Sequence, residues 1–102
     1  MEFYLTEDQA SLRDVVRDVA ETECPTTLVR SVIAGDTVAA EGLWKSYVGL
    51  DWQGLAVPEA DGGVGATLLD LALALEELGR VADPTPLLAT TSQYLPLVQA
   101  CA

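Results

Sequence analysis

The chain has 102 residues, half of them hydrophobic, with 16 acidic and 5 basic side chains and a net charge of −11. That length implies one domain with one modest core, and the apolar content excludes a disordered chain. The acidic balance disfavours nucleic-acid phosphates and anionic membranes, because no basic face exists to release counterions.

The acidic exterior is read either as a solvated surface or as a face that meets a basic partner or neighbouring domain. Aromatic residues make up only 6% of the chain, so Leu, Val and Ala supply most of the apolar content and favour closely packed helices. There are two cysteines, Cys24 and Cys101, and no histidine. With no further Cys or His ligand, a zinc site is not expected. Residues 1–20 lack the basic and apolar regions of a signal peptide. No uncharged apolar run reaches the ~18 residues of a membrane span. The expectation is a cytoplasmic protein with reduced cysteines; a Cys24–Cys101 disulfide is the alternative.

Thr6-Glu7-Asp8-Gln9 opens the first helix as a capping box, with Glu7 and Asp8 at the positive end of the helix dipole. Leu12, Val15, Val16 and Val19 give an apolar stripe, with Arg13, Asp14, Arg17 and Asp18 on the charged face. Phe3 and Leu5 precede the helix and are placed over its first turn. Cys24-Pro25 ends it. A second helix is predicted over residues 26–34, with Leu28, Val29, Val32 and Ile33 apolar and Gly35 as a left-handed stop. A third is predicted over residues 38–48, with Leu43, Trp44, Tyr47 and Val48 apolar and Gly49 at its end.

Residues 50–65 have no helical period. Gly54 to Pro58 reads as an extended segment or isolated short strand, because Pro58 forces Val57 to be extended. Glu59 to Gly65 reads as a turn. Thr67 and Asp70 cap a fourth helix, in which Leu68 to Leu78 is so uniformly apolar that burial between other helices is expected. Leu78-Gly79 stops that helix, and Arg80 suits the dipole there. Asp83-Pro84-Thr85-Pro86 restarts the chain. Residues 86–102 are helical in tendency, with Pro96 set to kink or divide them. The pattern predicts an all-α fold: an orthogonal bundle of about five helices with an irregular Gly/Pro loop before the central buried helix.

Catalytic chemistry has little visible support. Without His, the commonest general base is missing, and no Ser, Cys or Lys has an evident base beside it in sequence. Glu76 and Glu77 point about 100° apart on a helix, and are assigned to solvent or an interface before pairing with a basic group. Gly62-Gly63-Val64-Gly65 before a helix invites a phosphate-loop reading, but it has no Lys and neither standard glycine spacing. A tight loop-to-helix corner is the stronger reading. Trp44 and Trp52 are read first as core anchors, then as ligand or partner contacts. Tyr94 is read first as a core tyrosine, then as a cavity wall.

One resemblance gathers these residues. Leu43-Trp44-Lys45, then Leu50-Asp51-Trp52-Gln53-Gly54-Leu55-Ala56-Val57-Pro58-Glu59, Gly62-Gly63-Val64-Gly65, Leu69-Asp70-Leu71-Ala72-Leu73 and Glu76-Glu77-Leu78-Gly79-Arg80 resemble the N-terminal helical domain of acyl-CoA dehydrogenases. The similarity runs from the Thr6 helix start to the last helix. The middle motif carries it, while the N-terminal third matches only as an acidic amphipathic helix. Where the family often has an aromatic residue before the paired glycines, this chain has Asp61.

The resemblance implies residues 1–102 as one such domain, without the central β domain and C-terminal helical domain of the family. Those enzymes bind FAD and oxidise acyl-CoA thioesters across the Cα–Cβ bond; a glutamate base takes the α proton as the β hydride passes to the flavin. The base and most FAD contacts lie in the later domains, and neither Glu59, Glu76 nor Glu77 matches that base. The N-terminal domain contributes one wall of the acyl pocket, from the helix after E-E-L-G-R. In this sequence that assigns Leu87, Thr90, Thr91 and Tyr94 to acyl-CoA substrate binding, with no catalytic, cofactor-binding or metal residue. Leu87 and Tyr94 are alternatively core, and Thr90 and Thr91 are core only if they bond back to the backbone. The implied partners are the remaining dehydrogenase domains or a partner subunit, in a homo- or hetero-oligomer. A non-catalytic helical interaction module on the same fold is the competing reading.

Overall fold

The computed structural model describes residues 4–101 and is all-α: among them there is no strand. Helix α1 spans Glu7–Glu23. Its capping box forms as the sequence predicts, Gln9 N–H donating to Thr6 Oγ1 at 3.1 Å and Thr6 N–H to Gln9 Oε1 at 3.0 Å. Val16 and Ala20 are buried and Leu12 and Val19 pack beside them, while Val15 faces out. At 100° per residue, Val15 lies too far round the helix to join that stripe. Leu5 is half-buried, and Phe3 lies outside the described residues.

Helices α2 (Thr26–Ile33) and α3 (Ala39–Gly49) follow within a residue or two of their predicted bounds. Leu28 and Val29 of α2 pack on the core, but Ile33 is exposed. Gly35 has the expected positive φ, +105°. Asp36 Oδ1 then accepts from Ala39 N–H at 3.2 Å. Leu43 and Tyr47 of α3 are buried, and Val48 is exposed. Gly49 is the last residue of α3, as expected, and the left-handed residue that follows is Asp51, φ +61°. Aspartate is among the few side chains that visit that region at moderate cost.

The predicted extended segment at Gly54 to Pro58 is corrected. A 3₁₀ turn, Trp52–Gly54, runs into further turns, and a second 3₁₀ turn spans Glu59–Asp61. Trp52 and Leu55 are both buried. Residues three apart share a face in a helical turn and fall on opposite faces of a strand. Burying both therefore favours the coiled path.

Helix α4 (Leu68–Arg80) begins with the second predicted capping box, Thr67 with Asp70. It packs along α1. Its burial is a single stripe of Leu71, Ala74, Glu77 and Leu78, whereas Leu68 is 76% exposed and Leu69 also faces out. The expectation of a helix buried on all sides is thus corrected: a bundle this small covers only one side of it. Gly79 is inside the helix, and the left-handed turn falls at Ala82, φ +54°. The chain closes with α5 (Leu87–Ala89), a π-helical turn (Thr90–Tyr94) and α6 (Leu95–Cys101) in direct succession. Leu87 completes the core.

Candidate functional site

The last helical stretch carries all four residues assigned to the acyl site. Leu87 is buried in the core. Thr91, one turn on, is buried as well, and its hydroxyl donates to Leu87 O at 2.8 Å, the back-bond that makes a core threonine acceptable. The Ser92 hydroxyl donates likewise to Leu88 O. Thr90 is half-buried, and Tyr94 is 63% exposed, which corrects its reading as a core tyrosine. The structure therefore divides the four: Leu87 and Thr91 face inward, Tyr94 faces outward, and Thr90 lies between.

Pro96 explains the π turn between them. It has no N–H, and in a regular helix its ring would strike the carbonyl four residues back. The chain widens one turn before it, and Leu95 N–H reaches Thr90 O, five residues earlier. The division expected at Pro96 is absorbed over Thr90–Tyr94. Residues 84–102 contain no Asp, Glu, Lys or Arg. Even so, Leu88, Tyr94, Leu97 and Val98 are exposed, as are Leu68 and Leu69 of α4.

The glycine corner is a structural joint. The N–H groups of Gly63, Val64, Gly65 and Ala66 donate to the carbonyls of Pro58, Gly54, Val57 and Leu55 at 2.9–3.1 Å. A Cβ on Gly63 would fall on the Val57 backbone, so only glycine fits there. With these amides turned inward, and no Lys or Arg in residues 50–66, the corner does not fit a diphosphate. Asp61, in place of an aromatic residue, is exposed.

Charge pairing departs from the sequence reading at Glu77. Its side chain is only 6% exposed and is clamped by two arginines. Arg17 Nε and Nη2 donate to Oε2 and Oε1 at 3.0 and 2.9 Å, and Arg80 Nη1 donates to Oε2 at 2.9 Å. Arg17 thus joins α1 to α4. Hydrogen bonding to Arg17 holds the Glu77 carboxyl below its ordinary range, against the opposing effect of burial. Asp70 is also lowered, chiefly by the Thr67 backbone N–H. The signal for the clamp was present in sequence, since Glu77 falls on the 71–74–78 stripe and Arg17 beside Val16 and Ala20. A residue-type reading sends such charges to solvent.

A second polar cluster joins α3 to the hinge after α4. Tyr47, its ring 5.0 Å from that of Trp52, donates its hydroxyl to Asp83 Oδ1 at 3.3 Å. Thr85 donates its N–H to Oδ1 at 3.2 Å and its hydroxyl to Oδ2 at 2.8 Å. Burial pushes both the Tyr47 hydroxyl and the Asp83 carboxyl up. Cys24 is buried beside this cluster, its thiol raised by burial and donating to Val81 O, while Cys101 is exposed; both are free thiols. Trp52 is the core anchor of the two tryptophans; Trp44 is half-buried and edges a shallow groove with Pro86.

A cleft of about 410 Å³ opens between the end of α4 and the start of the last stretch, lined by Leu75, Leu78, Leu88, Ala89, Asp83 and Gln93 among others. None of the four assigned residues lines it. Thr91 instead borders a groove of about 180 Å³ with Gln53, whose side-chain oxygen is buried without a donor. Among the described residues there is no grouping of His, Cys, Asp and Glu able to hold a metal, and no helix long and apolar enough to cross a membrane.

An all-α unit with a glycine joint, an E-E-L-G-R helix and an uncharged final helix defines a domain class, and comparison with known proteins identifies it. The family model for the acyl-CoA dehydrogenase N-terminal domain matches residues 6–101, and the chain belongs to that family. It is 36% identical over 97 residues to the acyl-CoA dehydrogenase IpdE2 of Mycobacterium tuberculosis, covering 92% of this chain and 30% of that protein. It is 34% identical over 97 residues to IpdE2 of Mycolicibacterium smegmatis, with the same coverage. It is 36% identical over 97 residues to the cyclohex-1-ene-1-carbonyl-CoA dehydrogenase of Geobacter metallireducens, covering 93% of this chain and 25% of that one. The chain therefore spans less than a third of the length of these relatives. No solved structure is significantly similar to it.

Proposed function

We propose that this chain serves as the N-terminal domain of an FAD-dependent acyl-CoA dehydrogenase, closing one side of the acyl site and packing against the remaining domains. Those domains stand on the same polypeptide or on a partner subunit, in a homo- or hetero-oligomer. The observation that carries this reading is the last stretch: residues 84–102 hold no charge, yet Leu88, Tyr94, Leu97 and Val98 face out. A helix without charge on any side is built to be covered. Tyr94, which is exposed, and Thr90, which is half-buried, are the two of the four assigned residues that keep surface available to an acyl group.

The reaction, α,β-dehydrogenation of an acyl-CoA thioester, takes its base from outside the chain. Glu59 and Glu76 are exposed without an organised partner, and Glu77 is held ionised by two arginines. FAD supplies hydride acceptance when bound. The glycine corner does not fit its diphosphate, and the flavin is assigned to the remaining domains.

Photolabelling tests the wall assignment. A diazirine-bearing acyl-CoA added to the assembly isolated from cells producing this chain is expected to label Thr90 or Tyr94. Labelling confined to the rest of the assembly would remove this helix from the acyl site. A chain that purifies from those cells without any flavoprotein domain would favour the non-catalytic interaction module.

A further inference from the structure

The last stretch carries the wrong residues inward for a regular helix. A helix turns by about 100° per residue. Counted from Leu87, both Tyr94 and Val98 would lie within about 20° of its direction, and Leu95 and Gln99 about 80° and about 120° away. A regular helix would therefore turn Tyr94 and Val98 toward the core. The structure does the reverse: Tyr94 is 63% and Val98 45% exposed, while Leu95 and Gln99 are half-buried. Leu95 and Gln99 border one groove with Thr91 and with Leu71 of α4. The π turn Thr90–Tyr94 accounts for the difference, because its one extra residue sets everything after it back by about 100°. Leu95 and Gln99 then come within about 20° of Leu87, and Tyr94 moves to about 120° from it.

Burial does not select this register. Tyr94 and Val98 are together at least as apolar as Leu95 and Gln99, so a regular helix would bury as much apolar surface. What a regular helix does not tolerate is Pro96, whose ring would meet the Ser92 carbonyl. Pro96 is itself exposed, so its effect is on the backbone path and not on packing.

We propose that Pro96 is a positioning residue for the acyl site: by forcing the widened turn it holds Tyr94 on the outer face and decides which side chain the wall presents. The proposal rests on the acyl-wall reading above. Pro96 acts through the turn, without touching the substrate. In its absence the stretch returns to a regular helix, and Tyr94 leaves the wall for the core side.

Tyrosine nitration of the 102-residue chain with tetranitromethane, read by peptide mass spectrometry, tests the register. Tyr4, 90% exposed, and Tyr47, fully buried, are internal references. Tyr94 of the parent chain should react nearly as Tyr4 does, and in Pro96→Ala its reaction should fall about fivefold relative to Tyr4 as it turns inward. Deleting Gln93, an exposed residue of the turn, from the Pro96→Ala chain removes the extra residue. Leu95 and Gln99 then stand seven and eleven positions after Leu87, so a regular helix turns them inward and Tyr94 regains its parent reactivity. Unchanged nitration of Tyr94 in Pro96→Ala, no recovery on deletion, or a rise at Tyr47 showing that Pro96 holds the whole fold would each overturn the proposal. In the assembly, diazirine acyl-CoA label on Tyr94 should be lost in Pro96→Ala and return with the deletion. If nitration follows the register but Tyr94 is unlabelled even in the parent, the acyl-wall reading fails and takes the role of Pro96 with it. If nitration alone fails, the wall reading stands without Pro96.

Discussion

Leu78→Ala is expected to be among the most damaging single changes on α4, and Leu68→Ala among the mildest, although sequence places both in one apolar run. Leu78 is 2% exposed and Leu68 is 76% exposed. Removing three buried carbons at about 0.8 kcal/mol each forfeits about 2.4 kcal/mol of transfer energy. A residual cavity of about 60 Å³ at about 24 cal/mol per Å³ adds about 1.5 kcal/mol. The total, about 4 kcal/mol, is a large part of the about 5–15 kcal/mol that stabilises such a domain. It corresponds to a fall in Tm of about 15–20 °C. Leu68→Ala should stay within about 0.5 kcal/mol, or about 2 °C. Scanning calorimetry of the chain alone measures both. Equal losses at the two positions would refute the one-sided burial of α4 and restore the helix enclosed on every side.

Other outcomes follow from the same structure. Gly63→Ala places a methyl group on the Val57 backbone and should destabilise the chain severely, whereas Gly42→Ala, in mid-helix with open space around it, should stabilise it by about 0.5–1 kcal/mol; urea midpoints compare the two. Thr91→Val removes the hydroxyl that bonds Leu87 O and should cost about 1 kcal/mol with the helical circular-dichroism signal unchanged. For pH, Glu77 has a folded pKa below its ordinary value of 4.5, so its contribution is fully present above that value and is lost as pH falls through the lower, folded pKa. The Tm gap between the parent chain and Glu77→Gln should therefore be widest above about pH 5.5 and close as the pH is lowered below about 4; a gap that is constant down to acid pH would contradict the ion-pair origin of the effect.

Local chemistry made much of the fold legible in sequence. Thr6 with Gln9, and Thr67 with Asp70, mark helix starts because one side chain and one amide satisfy each other within four residues. Gly35 fulfils its expected turn. Gly49 and Gly79 fall at the helix ends to within one residue, but neither takes the left-handed turn, which falls at Asp51 and Ala82 instead. Where Trp52 and Leu55 both had to be buried, tertiary packing favoured turns over the extended segment expected from Gly54 to Pro58. At the candidate site, Thr91 behaved as its back-bonding option required, while Tyr94 faced out because the widened turn before Pro96 carries it off the Leu87 face. The Glu77 clamp takes one arginine from three residues along its own helix and the other from 60 residues away, and the pairing with the distant one is named by no local pattern.

The most direct test of the central claim is flavin retention and turnover by the 102-residue chain alone. Purified after incubation with excess FAD, and assayed with acyl-CoA thioesters and an artificial electron acceptor, it should emerge colourless and inactive. A yellow chain holding one FAD per molecule, or any acyl-CoA-dependent reduction of the acceptor, would contradict the claim that the chemistry resides in the domains this one packs against.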